Sequence, residues 1–166
     1  MTEFDALRQQ VLAWAMARHI IPNAKPHVQL MKTGSELGEL FDAEIKDDMA
    51  GIIDGIGDVL VTLIIYAKLR EVDFPEPGRD SQPASTTHEQ LRNVGISYGD
   101  LLAMHEKPTS RLGWFYLERM LTDLADYAAL YDLTLAQCLE AAYDEIKDRR
   151  GHLTPEGLFI KETAGA

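Results

Sequence analysis

The chain has a single cysteine, Cys138, among 166 residues. Neither an internal disulfide nor a cysteine-based zinc site can therefore form within it, and a reducing, cytoplasmic setting suits the composition. Basic residues are scarce: 16 Lys and Arg stand against 27 Asp and Glu, for a formal net charge of -11 and a pI near 4.8. Coating a nucleic acid requires a basic face that displaces counterions, so DNA or RNA is not an expected partner. Nucleotides remain open, because a bound divalent cation inverts the local field. Long hydrophobic runs are missing too. The longest, Val59 to Ala67, is interrupted by Thr62 and is too short to span a bilayer. Met1 to Arg8 carries acids where a leader would be basic and then apolar. No membrane association is expected.

Several catalytic signatures are absent. There is no Gly-x-x-x-x-Gly-Lys phosphate loop and no serine nucleophile motif. The histidines are His19, His27, His88, His105 and His152. None has Glu three residues before it, as a di-iron carboxylate bundle requires, and none is followed by Asp, as a His-Asp metal phosphohydrolase requires.

What is present is helical spacing around one core. The chain is 46% hydrophobic, enough for a single domain over residues 1–166. Phe4, Leu7, Val11, Leu12, Trp14 and Ala15 predict a first helix over residues 3–19, broken by Ile21-Pro22-Asn23-Ala24-Lys25-Pro26. Further helices are predicted over 27–46, 49–71, 88–105, from Pro108-Thr109-Ser110 to about 131, and from a Thr134 cap to about 150, where Gly151 stops the last one. The third is apolar on nearly every side and should be buried. Residues 74–87 hold three prolines and read as a loop long enough to be functional. No strand alternation is evident, so the expected fold is an all-α bundle of five to six helices.

The informative residues are acidic. Glu36 and Glu39 are three apart and share a helix face, as do Asp54 and Asp58, four apart. The connection between their helices is short, which predicts antiparallel packing and convergence of four carboxylates. Glu36 lies on a stripe with Leu40 and Ala43, and Asp54 and Asp58 continue into Val61 and Ile65. Carboxylates at the edge of a core are costly without a cation, and hard ions such as Mg²⁺ or Mn²⁺ prefer oxygen ligands. Gln29, Lys32, Glu36 and Glu39 follow one face, so Lys32 can meet a phosphate as a point charge or simply pair with Glu36.

The pattern Lys32…Glu36-x-x-Glu39…Gly57-Asp58-Val59-Leu60 resembles the two-part signature of MazG-like all-α nucleoside triphosphate pyrophosphohydrolases, relatives of the dimeric dUTPases. In that family the signature is Glu-x-x-Glu, then, after a spacer, Glu-x-x-Asp. Two departures stand out: Ser35 occupies the place of an acid, and the second motif's glutamate falls on Gly55, one residue after Asp54. The stretch from Cys138 to Gly151, followed by Gly157-Leu-Phe159-Ile-Lys161, resembles short phage-type members. The resemblance implies hydrolysis of an NTP or dNTP, a purine such as dGTP among the candidates, to monophosphate and pyrophosphate with Mg²⁺ or Mn²⁺. It implies metal ligation by Glu36, Glu39, Asp54 and Asp58, catalysis involving Glu36, Glu39 and Lys32, and phosphate contacts from Gln29, Lys32, Lys147, Arg150 and Lys161. It also implies a homodimer or homotetramer. For Lys147 and Arg150 the alternative is that they favour the helix C-terminus through its dipole. The rival reading of the whole chain is a non-catalytic helical adaptor that kept the fold, to which the missing acid at Gly55 lends weight.

Overall fold

The computed structural model describes residues 2–78, 82–105 and 110–162. It is an all-α bundle with a small terminal hairpin. The order is α1 (Glu3–Ala17), α2 (Ile20–Asn23), α3 (Pro26–Lys46), α4 (Met49–Leu69), α5 (Thr87–Met104), α6 (Ser110–Ala129), α7 (Leu135–Ile146), β1 (Gly151–Leu153) and β2 (Phe159–Lys161).

Local chemistry explains the ends. Thr2 and Asp5 form a reciprocal capping box at α1, and Thr134 and Gln137 form another at α7. Pro26 occupies the first turn of α3, where its missing N–H costs nothing. Asp47 closes α3 in a left-handed conformation (φ 52°), and Asp48 caps α4 by accepting from the Gly51 N–H. This two-residue connection turns α4 back along α3, and the two helices share the most extensive packing in the molecule.

α4 is the central element. Gly55, Ile56, Gly57 and an unbroken run from Val59 to Ala67 are buried. This helix is long and apolar enough to cross a membrane, but α1, α3 and α7 pack against it within the protein. Gly55 and Gly57 serve opposite neighbours. A Cβ at Gly55 would sit 3.1 Å from the Leu40 Cα, and one at Gly57 would sit 2.4 Å from the Cys138 carbonyl oxygen. Gly55 is thus the point where α3 closes on α4. A side chain at this position would run into Leu40.

Three expectations need correction. The segment after α1 is not simply a break: it holds the short helix α2, which buries Ile20. The last helix stops at Ile146, four residues before the expected end near 150. Arg18 terminates it, its Nε and Nη2 donating to the carbonyls of Arg149 at 2.5 Å and Lys147 at 2.7 Å. The tail also forms strands, with Gly151 opposite Lys161 and Leu153 opposite Phe159. Three-residue strands are too short to show alternation, which is why sequence periodicity misses them. The expected start of the fifth helix at Pro108 and Thr109 lies outside the described residues. The long loop after α4 is partly pinned down: Phe74 stacks on Phe4, and the Gly78 N–H donates to Thr122 Oγ1 at 2.6 Å.

Candidate functional site

The acidic residues of α3 and α4 meet across the helix pair. Glu36, Glu39, Asp54 and Asp58 line one cleft of about 280 Å³ together with Asp42, Asp48 and Lys46. Glu36 is buried at 5% exposure. Asp58 is half-buried, while Glu39 and Asp54 are exposed. A second cavity of about 340 Å³ shares Glu36 and Asp58 as a common wall. Gln29, Lys32, Arg149 and Lys161 supply its polar lining, and Trp14, Ile20, Val61, Ile65, Ile146 and Phe159 supply apolar surface. One acidic cleft and one chamber lined by cations and apolar side chains therefore adjoin along the Glu36–Asp58 seam.

The sequence reading overlooked one acid, Glu145. It hydrogen-bonds Asp54 and acts on both Asp54 and Asp58 through its charge. The close approach at Gly57 brings it there, because Cys138 and Ala142 of α7 pack onto Gly57 and Glu145 lies one turn beyond Ala142. The signal existed: an acid extending a buried stripe at helical spacing, the same signal that marks Glu36.

The crowding shows in the titration. Burial, reinforced by the charges of Glu36, Asp54 and Glu145, pushes the Asp58 carboxyl up to about 7, with Arg149 pulling the other way. Asp54 is also raised, first by burial and then by its repulsion from and hydrogen bond with Glu145. The acids outnumber the cations beside them. Lys32 Nζ donates to Glu36 Oε1, Arg149 pairs with Glu145 and Lys46 pairs with Asp42 at 3.3 Å, yet six carboxylates and one lysine line the cleft. An all-oxygen, under-neutralised donor set suits a hard divalent cation. Among the described residues, however, no three His, Cys, Asp or Glu side chains are gathered into a group ready to hold a metal ion.

The expected phosphate contacts divide. Gln29, Lys32 and Lys161 line the chamber. Lys147 and Arg150 do not. Both are exposed, and Lys147 Nζ is engaged by Asp144 Oδ1 at 2.8 Å. Arg149 is the member of this run that lines the chamber. The reason is the early end of α7: Lys147 and Arg150 share a face only if the helix continues, and it stops at Ile146.

A second buried carboxylate lies apart from the cleft. Glu44 Oε2 accepts from the hydroxyls of Tyr127 and Tyr131, each at 2.6 Å, with His88 Nδ1 at 3.7 Å from Oε1. Burial opposes its charge, but hydrogen bonds from Thr87, Tyr127 and Tyr131, with His88, outweigh that and hold its pKa below the ordinary value. This clamp ties α3 to α5 and α6.

Comparison with known proteins adds one distant relative. The chain is 32% identical over 73 residues to an "Uncharacterized 18.2 kDa protein in rep-hol intergenic region" of Haemophilus phage HP1 (strain HP1c1). The match covers 44% of this chain and 45% of the phage protein, so the chain spans less than half of that relative. No protein-family model matches the chain, and no solved structure matches it significantly.

Proposed function

We propose that this chain is a metal-dependent nucleoside triphosphate pyrophosphohydrolase, as its MazG-like motif implies, converting an NTP or dNTP into monophosphate and pyrophosphate in the cytoplasm. The observation that carries the reading is the adjacency of the two cavities: carboxylates of α3 and α4 on one side of Glu36 and Asp58, cations and apolar side chains on the other. A triphosphate with a heterocycle at one end has that same division of charge and polarity.

Glu36, Glu39, Asp54 and Asp58 are the oxygen donors that would hold Mg²⁺ or Mn²⁺, with Glu145 beside them. The ion, when bound, neutralises triphosphate charge and lowers the pKa of a coordinated water. Lys32, Arg149 and Lys161 meet the phosphate oxygens from the chamber side. In this reading Glu36, at the seam, is either one of those oxygen donors or the carboxylate that takes the proton of the attacking water. Water oxygen bonds to phosphorus, the bridging P–O bond between the α- and β-phosphates breaks, and pyrophosphate departs with the bridging oxygen. Exposed Met31, Phe41 and Ile45 on α3 favour a homodimer or homotetramer as part of the same proposal.

One observation favours the rival reading, a non-catalytic adaptor: the acids are not gathered into a ready ligand group. Incubating the protein with each common NTP and dNTP, with Mg²⁺ or Mn²⁺, and identifying products by mass separates the two. Monophosphate plus pyrophosphate, lost in Glu39→Gln and Asp58→Asn, is the expected result. Diphosphate plus phosphate means the bond assignment is wrong. No turnover, together with no thermal shift on adding Mn²⁺, leaves the adaptor.

A further inference from the structure

Arg18 is the first residue after α1, half-buried, and does not line the chamber. Its guanidinium is bound to distant backbone. Nε donates to the Arg149 carbonyl at 2.5 Å and Nη2 to the Lys147 carbonyl at 2.7 Å, 131 and 129 residues away in the chain. The same group lies over the buried Trp14 ring, 5.0 Å from its centroid. A guanidinium carries its donors in a rigid planar fork, so the two carbonyls are fixed relative to each other and to α1. The segment held in this way lies beyond the end of α7 at Ile146, where no continuing helix sets its direction. Arg149 is the residue of that segment that meets the chamber, with Lys32 and Lys161, while Lys147 and Arg150 are exposed. The Arg149 side chain also pairs with Glu145, and its charge acts on Asp58.

We propose that Arg18 is a positioning residue for Arg149: by holding the Arg149 carbonyl it sets where that side chain enters the chamber, and so where phosphate is met. The proposal rests on the reading as a nucleoside triphosphate hydrolase and adds a residue outside both cavities that governs the phosphate contact. The physical reason is local. Outside a helix each residue keeps two soft backbone dihedrals, so an unbound Arg149 carbonyl leaves the start of its side chain free to swing. A misplacement of about 1 Å at a substrate contact is enough to cost about a hundredfold in rate. A purely structural role, in which Arg18 only ties the tail to α1, has the same contacts. It differs in one respect, because its loss would act whether or not Arg149 is present.

A double-mutant cycle separates the two. Arg18→Lys keeps the charge and gives up the planar fork. Its kcat/KM for a nucleoside triphosphate should fall roughly tenfold, chiefly through KM. In an Arg149→Gln background the same substitution should cost less than about twofold, because the contact it serves is already gone. A second readout needs no turnover. The thermal stabilisation of the wild type by inorganic tripolyphosphate should shrink in Arg18→Lys and in Arg149→Gln, and should shrink no further when the two are combined. Circular dichroism shows which variants are folded, and Arg18→Gln repeats the cycle if Arg18→Lys is not. Unchanged kcat/KM in Arg18→Lys, or an equal loss with and without Arg149, overturns the positioning role and leaves the proposed function standing. Failure of both Arg18 variants to fold overturns it too, since Arg18 is then structural. A wild type that neither hydrolyses any nucleotide nor is stabilised by tripolyphosphate overturns the proposed function and this inference with it.

Discussion

A Cβ placed on Gly57 would lie 2.4 Å from the carbonyl oxygen of Cys138 and 2.6 Å from the Ala142 Cβ. The α4 and α7 backbones therefore touch there, and this contact brings Glu145 to Asp54. Gly57→Ala gains helix propensity but forces the helices apart, and overpacking is expected to win. The variant should lose about 1–3 kcal/mol of stability in denaturant melts. If α7 moves as argued, turnover should fall as well.

Asp58 titrates near 7 in the folded protein against an ordinary value of 3.8. A raised carboxyl pKa means that stability is full below the unfolded value and is lost as pH climbs through the folded one. Without metal, the wild type should therefore weaken steadily between about pH 4 and pH 7 and level off above. Asp58→Asn should remove most of that slope and be more stable at pH 8 by about 2–4 kcal/mol. Thermal melts across this range check it. A flat wild-type profile would show that the acids are less crowded than described.

Glu145 is expected to matter for turnover more than for folding. Glu145→Gln relieves repulsion on Asp54 and Asp58, so its melting temperature at pH 8 should not fall. Nucleotide turnover should drop roughly 10–100-fold, the usual effect of removing a group that supports metal ligands. Unchanged turnover would reduce Glu145 to the surface partner of Arg149.

The Glu44 clamp is expected to be structural. Tyr127→Phe removes one of two tyrosine hydroxyls from a buried carboxylate, and should cost about 1–3 kcal/mol near neutral pH. Because the folded Glu44 pKa is lowered, its contribution is present above the ordinary value and lost as pH falls through the folded one. The gap between variant and wild type should thus narrow in acid, below about pH 4.5. Catalytic parameters of the surviving folded protein should not change.

Much of the architecture was legible because helices announce themselves locally. Apolar residues at spacings of three and four, Thr134 ahead of α7 and Asp47-Asp48 between α3 and α4 are readable one segment at a time. The hairpin was not, since pairing Gly151 with Lys161 is a non-local event without a long periodic signal. The same holds for the end of α7. Extrapolating helical phase through Lys147 and Arg150 fails once Arg18, just after α1, binds the carbonyls of Lys147 and Arg149.

By itself the sequence determined an acidic, helical chain with one buried central helix and two acid pairs on faces continuous with the core. Those properties follow from composition and from the 3.6-residue period, which no tertiary contact is needed to reveal. Only the tertiary structure decided that Gly55 is a packing point against Leu40, that Glu145 joins the acids, and that Arg149 rather than its neighbours reaches the chamber. Each depends on how closely two helices approach, a distance set by side chains far apart in the chain.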